Sequence, residues 1–317
     1  MKKLLISGGN SFLAHHFINK YKRKYKIICL YRKLPIKKNV NITSYYLKNT
    51  TLEKVFLKEN KIDYVIHNAA LHSGIDKNYD DYFKSNVLLT KKIFFLAKKY
   101  NVKEFLYVSS VRTIGQINKV SKFNTKYNLH KIDNFYGYTK YLGEKFLYHQ
   151  NSKMNIKFIN PSMIVGTHDF KPSPCGELFQ KVIKGRIIPV IDTTVNIVDV
   201  DDVCFFLDKI LNRGKNKKRY IVCAETITLK QFFNLISGNK KKIYLHIPYI
   251  LIFSIYQLFS KIFAVQRYNI NTFLLAKKKF IYDGKDILRE FNYKYKNIKK
   301  TIDATRSWHN KVLSTKH

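Results

Sequence analysis

Short apolar runs alternate with helix-length amphipathic stretches through the first half of this chain, and each run ends in a small or polar residue. Lys3-Leu-Leu-Ile-Ser7 leads directly into Gly8-Gly-Asn-Ser-Phe-Leu-Ala14, and a helical pattern then continues through Phe17 and Ile18 to about Tyr21. Ile27-Ile-Cys-Leu-Tyr31 is a second strand, and Thr50 to Glu53 has the spacing of a capping box that starts a short helix. Asp63-Tyr-Val-Ile-His67 is a fourth strand, ending in Asn68-Ala69-Ala70. A helix over Asp81 to Tyr100 follows, and the strand Glu104-Phe-Leu-Tyr-Val108 delivers Ser109 and Ser110. Strands that alternate with helices in this way predict an α/β fold with a parallel, doubly wound sheet, which binds ligands at the carboxyl ends of its strands. Gly8, Asn68, Ser110 and Pro161 all fall at such ends.

The first of these ends has the order of a dinucleotide-binding turn: strand, tight glycine loop, helix amino terminus aimed at a pyrophosphate. Against G-x-x-G-x-x-G the loop reads Gly8, Ser11, Ala14, with an extra Gly9. Ala suits the third place, where only a small residue is needed, whereas Ser at the second should crowd a phosphate slightly. The candidate binding residues here are Gly8, Ser11, Phe12 and Leu13, against the alternative of an ordinary βα turn. At the end of the second strand stand Arg32 and Lys33, where an NAD site usually carries an acid for the ribose diol. An Arg there suits a 2′-phosphate and so favours NADPH over NADH; the competing reading is a solvated cation in a Lys-rich chain.

Ser109-Ser110 is followed by Tyr136-Gly-Tyr-Thr-Lys140. Tyr136 and Lys140 share a helix face, with Cβ atoms roughly 5–6 Å apart. A cation beside a phenol stabilises phenolate and lowers its pKa toward a range useful for proton transfer. Four Tyr/Lys pairs occur at this spacing, about what chance provides among 23 Tyr and 50 Lys, so context selects this pair.

Asn68-Ala-Ala70, Ser85-Asn86-Val87, Val108-Ser-Ser-Val-Arg-Thr-Ile-Gly115, Tyr136-Gly-Tyr-Thr-Lys140, Asn160-Pro161-Ser162 and the stretch from Val165 to Asp202 together carry a family resemblance. The chain resembles an extended short-chain dehydrogenase/reductase of the NAD-dependent epimerase/dehydratase superfamily. Within it the chain is most similar to the dihydroflavonol-reductase-like proteins, including the hopanoid-associated sugar-epimerase-like branch. The resemblance implies a Rossmann fold and a Ser110–Tyr136–Lys140 triad. Tyr136 would be the general acid/base, Lys140 would bind the nicotinamide ribose and bias the phenol, and Ser110 would hold the substrate oxygen. Asn68, Ala69, Ala70, Asn86 and Pro161 would border the cofactor. Some positions depart from the pattern. Tyr46 stands where an acid often holds the adenine, Val111-Arg112 replace the Asp-Glu pair of sugar-nucleotide dehydratases, and Asn196 replaces an Arg usual in nucleotide-sugar epimerases.

The chain's 317 residues exceed the size at which a single core tends to split. The expected division is a dinucleotide-binding domain over 1–165, joined by a returning segment near 193–225, and a smaller substrate-side region over 166–317. A net charge of +38 raises the prospect of nucleic-acid binding. The lysines are spread along the whole chain, so no specific nucleic-acid partner is expected. Cys29, Cys175, Cys204 and Cys223 match no metal or disulfide spacing, which fits reduced thiols in a cytoplasmic protein and no metal. The apolar run Ile247 to Phe263 falls short of the ~20 residues that span a bilayer. It reads as a helix over an apolar pocket, with peripheral membrane contact second. Segments 72–84, 112–135, 167–176 and 247–281 are expected to shape that pocket. The expected function is reduction of a small-molecule carbonyl or sugar-like substrate with NADPH, in a chain that pairs as a homodimer. A sugar epimerase and a non-catalytic nucleotide-binding protein are the alternatives.

Overall fold

The computed structural model describes residues 1–32, 41–72, 78–114, 135–170, 172–248 and 279–315. The apolar run from Tyr249 on, Lys33, and much of segments 112–135 and 247–281 lie outside the described residues.

Near-continuous apolar strands can be buried on both faces only where helices cover both sides of a sheet. The strands are β1 (Lys2–Ser7), β2 (Tyr25–Tyr31), β3 (Ile42–Tyr46), β4 (Tyr64–His67), β5 (Glu104–Val108), β6 (Asn155–Pro161) and β10 (Arg219–Val222). They form a seven-stranded sheet in the order β10-β6-β5-β4-β1-β2-β3. Every neighbouring pair is parallel. The winding reverses between β1 and β4, so Gly8 and Asn68 sit on either side of the switch point, where such sheets bind ligands. Leu5, Ile28, Val65, Phe105 and Phe158 form a fully buried layer, and Val55, Phe56, Phe94 and Ala97 pack on it from the helices.

Two helix starts and one helix interior need comment. Helix α1 (Phe12–Tyr21) is capped by Ser11, whose Oγ accepts from the Ala14 amide at 3.1 Å. Helix α2 (Leu52–Glu59) is capped by Thr51, not by Thr50, because Thr51 is the last extended residue and its Oγ1 accepts from Lys54 N at 3.3 Å. Glu53 therefore lies one place too early to close a capping box. The helix expected over 81–100 is three pieces: α3 (Tyr79–Phe83), a π turn (Lys84–Leu88) and α4 (Leu89–Lys99). Within the π turn Asn86 and Val87 are buried, and the Thr90 hydroxyl donates to the Asn86 carbonyl at 2.7 Å. Widened turns of this kind often occur at functional sites.

The described residues fall into two compact units, one drawn from 1–113, 135–161 and 200–222, the other from 162–199, 223–248 and 279–315. In the first, helix α7 (Val200–Arg213) brings in buried Asp208, which accepts from Lys24 Nζ and Tyr25 Oη, each at 2.6 Å. The second unit holds a three-stranded sheet, β11-β9-β7, made of β7 (Met163–Val165), β9 (Thr194–Asp199) and β11 (Glu225–Thr228). The strand around Asn196 thus lies in this sheet, and the chain rejoins the first unit at Val200. Phe179, Ile197, Phe232, Ile236 and Ile302 form its core. All four cysteines are buried thiols, and burial pushes Cys29 up to about 12. Among the described residues, no helix is long and apolar enough to cross a membrane.

His309, on the helix Ile298–Ser314, is fully buried and stacked on Phe179 with ring centroids 5.5 Å apart. Neither ring nitrogen has a partner among the described residues. Burial lowers its pKa from 6.5 to about 4. Between those values the unfolded chain takes up a proton that the folded chain refuses, so stability falls as pH drops through that window, at up to about 1.4 kcal/mol per pH unit. His309→Phe should leave stability at pH 7 unchanged or raised and make urea-unfolding midpoints less acid-sensitive between pH 6.5 and 4. Equal acid sensitivity in the variant would remove His309 from this account.

Candidate active site

The parallel register aligns Leu30, Ser7, His67, Tyr107, Phe158 and Arg219 in one row across the sheet. Residues paired across neighbouring strands point to the same face. The row therefore carries four polar side chains on one buried face: Ser7 and His67 close their strands, Tyr107 stands one residue before the end of β5, and Arg219 opens β10.

Hydrogen-bond arithmetic orients the first half of the row. Ser7 Oγ accepts from the Asn68 and Ala69 amides, both at 3.1 Å, so its own proton goes to His67 Nδ1 at 2.6 Å. His67 must then carry its proton on Nε2, which donates to Thr90 Oγ1 at 2.8 Å. Thr90 passes its hydroxyl proton to Asn86 O. Burial lowers the His67 pKa to about 3, with the Lys140 charge adding to the effect, so the ring stays neutral at ordinary pH. The Asn86 side chain completes the chain: it accepts from Leu71 N at 2.8 Å and donates to Leu71 O at 3.1 Å. Asn68 to Leu71 is thereby held at both ends.

Gly8 adopts φ +71°, and a Cβ there would come within 2.9 Å of the Ala69 Cα. Only glycine allows this approach of the two strand ends. Asn68 Nδ2 donates to Ser11 Oγ at 2.7 Å, so the loop after β4 also braces the cap of α1. Ser11 satisfies the Ala14 amide and the first intrahelical bond forms at His15, which leaves the amides of Phe12 and Leu13 as donors without an intrahelical partner. Those donors at a helix amino terminus suit a pyrophosphate.

The helix α5 (Phe135–Tyr148) supplies Tyr136 and Lys140. The Tyr136 phenol is hydrogen-bonded to the Ser110 side chain; burial raises its pKa, while Ser110 and the charge of Arg112 pull the other way. Ser110 Oγ also accepts from Arg112 N at 3.2 Å, in the short turn Val111–Thr113. Lys140 is buried, donates to Val108 O at 2.6 Å and lies 4.1 Å above the Tyr107 ring. Burial lowers its pKa to about 7, and the charge of Glu144 opposes the shift. Gly143 permits this packing, since a Cβ there would meet Tyr107 Oη at 2.6 Å. Asn86 Nδ2 reaches Thr139 Oγ1 at 3.0 Å and ties the π turn to the same helix.

Ser110, Tyr136, Lys140, Gly8, Ser11, Phe12, Leu13, Asn68, Ala69, Ala70 and Asn86 therefore belong to one unit, with Asn86 wholly buried as a brace. Pro161 closes β6. Arg32 is exposed just after β2. Tyr46, at the end of β3, stacks on Tyr31 at 5.6 Å between centroids. Asn196 lies in the second unit and accepts from Thr226 Oγ1 at 2.7 Å. Motif reading gave no role to Thr90, Thr113, Glu144, Asn160 or Arg219. Glu144 carried one signal, an acid a single helical turn after Lys140. Among the described residues, no group of three or more His, Cys, Asp or Glu could hold a metal ion.

Comparison with known proteins places this arrangement. A Synechocystis sp. protein provisionally named dihydroflavonol 4-reductase is 30% identical over 173 residues, covering 52% of this chain and 50% of that protein. A dTDP-D-glucose 4,6-dehydratase of Dictyostelium discoideum is 25% identical, with 68% of this chain and 56% of that protein covered. The chain thus spans about half the length of these two relatives. The crystal structure of gox2253 superposes with a TM-score of 0.82 over 98% of this chain and 99% of that one, at 21% identity. The Bordetella bronchiseptica enzyme WbmG, crystallised with NAD and UDP, superposes with a TM-score of 0.75 at 18% identity, over 98% of this chain and 95% of that one. The model of the NAD dependent epimerase/dehydratase family matches residues 4–223, which include every strand of the seven-stranded sheet beyond its first two residues, and the chain is a member of that family.

Proposed function

We propose that this chain reduces a ketone or aldehyde to an alcohol with NADPH, through Ser110, Tyr136 and Lys140. The observation that carries the reading is the hydrogen bond between the Tyr136 phenol and the Ser110 side chain, at the carboxyl end of β5. A substrate oxygen that takes the place of one partner in that bond meets two hydroxyl donors at once. Burial keeps Tyr136 protonated in the resting protein, the form a general acid needs. Tyr136 gives its proton to the carbonyl oxygen as charge develops there, and Ser110 holds that oxygen by a hydrogen bond. Lys140, in its charged form, stabilises the phenolate left behind. A reduced nicotinamide held in this cradle would supply the hydride for the carbonyl carbon.

The cradle fits a dinucleotide. Gly8, Ser11 and the amides of Phe12 and Leu13 would hold the pyrophosphate, Asn68, Ala69 and Ala70 would line the near ribose, and Pro161 would lie beside the nicotinamide. Exposed Arg32 would take a 2′-phosphate, which selects NADPH over NADH. Val111 and Arg112 in place of an acidic pair argue against dehydration. The substrate is a small carbonyl or sugar-like molecule. Exposed Leu88, Phe95 and Tyr148 on α4, its approach and α5 support pairing with a second copy, and the buried thiols suit a reducing cytoplasm.

An epimerase, which withdraws hydride and returns it to the other face of a sugar, is the second reading. It is favoured by kinship with a Caenorhabditis elegans UDP-glucose 4-epimerase, 33% identical over 126 residues. Cofactor that stays bound through purification, with no net consumption of NADPH, would select it over the reductase.

Tyr136→Phe should lower the rate of carbonyl reduction by roughly 10²–10⁴-fold while the unfolding midpoint stays close to that of the unsubstituted chain. An unchanged rate would end the proposal. Titrations followed by nicotinamide fluorescence should give tighter binding of NADPH than of NADH, and Arg32→Ala should erase the difference. Tighter NADH binding would exclude the role given to Arg32.

A further inference from the structure

Glu144 is fully buried one helical turn beyond Lys140 and touches three other elements of the first unit. Its Oε1 accepts from Asn160 Nδ2 at 2.6 Å, and its Oε2 pairs with Arg219, itself buried at the start of β10. Arg219 Nη2 also donates to Thr113 Oγ1 at 3.0 Å. Thr113 has a single hydroxyl proton, and the shorter of its two contacts directs it to Ser110 O at 2.9 Å. Asn160 Nδ2 reaches the same carbonyl at 3.1 Å. Thr113 and Asn160, from the turn after β5 and from β6, therefore hold the Ser110 carbonyl, and Glu144 of α5 and Arg219 of β10 hold those two side chains in turn.

A buried ion pair is a poor way to gain stability, since apolar residues of similar volume often do as well or better. Its position says what else it does. Lys140 faces the Tyr107 ring and Val108 O from β5, neutral His67 from β4, and Glu144 one turn along its own helix; Arg219 of β10 acts on it through Glu144. Glu144 is the anion in that set.

We propose that Glu144 is a positioning residue: it keeps the Lys140 ammonium charged in a buried setting and, through Asn160 and Thr113, fixes Ser110 beneath the Tyr136 phenol. The inference rests on the proposed use of Lys140 at the cofactor. Arg219 acts in the opposite sense, because it holds the carboxylate in place while offsetting part of its charge.

The two partners are thus expected to move one observable in opposite directions. NADH and NADPH affinity, read by nicotinamide fluorescence from pH 5.5 to 9, should weaken as pH rises through the Lys140 pKa of about 7. Glu144→Gln removes the supporting anion, so the weakening should begin about one pH unit lower. Arg219→Gln leaves that anion unopposed, so it should begin at higher pH. Where either single variant fails to fold, Glu144→Gln/Arg219→Gln removes both members of the ion pair, and its transition should still fall below that of the unsubstituted chain. Transitions that stay in place, or move together in both single variants, would overturn the inference. Failure of the unsubstituted chain to bind either nucleotide would instead sink the reading of the site beneath it.

Discussion

One row of backbone pairing sets out the buried polar groups around the candidate site. Parallel strands that pair Ser7 with His67, His67 with Tyr107, Tyr107 with Phe158 and Phe158 with Arg219 set their side chains on one buried face. A buried polar group without a partner costs about 1–3 kcal/mol, so each polar member of the row demands an answering group from the helices above it. Thr90 answers His67, Lys140 lies over Tyr107, and Glu144 meets Arg219. A one-residue slip of any strand would turn its member to the opposite face and leave its partner alone. Register and site are therefore a single specification.

The consequence is rigidity on one side of the site. The segment after β4 is gripped by Ser7 at Asn68 and Ala69 and by Asn86 at Leu71, while Gly8 presses against Ala69. The Ser110 carbonyl is gripped by Thr113 and Asn160. Groups held by their neighbours' hydrogen bonds need little reorganisation when charge develops beside them, which is the condition for electrostatic catalysis. The π turn serves the same end, since Asn86 spans from Leu71 to Thr139 and so joins the β4 loop to the helix of Tyr136.

Much of this was legible in the chain. Buried parallel strands must be apolar throughout, and the runs ending at Ser7, Tyr31, His67 and Val108 end where the strands end. The glycine turn announced itself because no other residue type fits φ +71° against a neighbouring strand. Local chemistry was harder to place to the residue. Thr50 and Thr51 are equally good caps on paper, and only the backbone conformation at Thr51 decides between them. The π turn leaves no mark in a sequence whose helical periodicity runs straight through it. That the Lys140 Nζ is held by Val108 O, and that Ser110 and Arg112 act on Tyr136, could be seen only once the helix was packed on β5.

By itself, the order of residues determined the sheet, its helices, the glycine turn and the Ser-Tyr-Lys spacing, because each depends on neighbours a few positions apart. The tertiary structure alone decided which buried polar groups meet. Glu144 and Arg219 are separated by 75 residues, Ser7 and His67 by 60. No local pattern encodes such pairings; they arise where strand register and helix packing bring two groups together away from water, and there an unanswered hydrogen bond is too costly to leave.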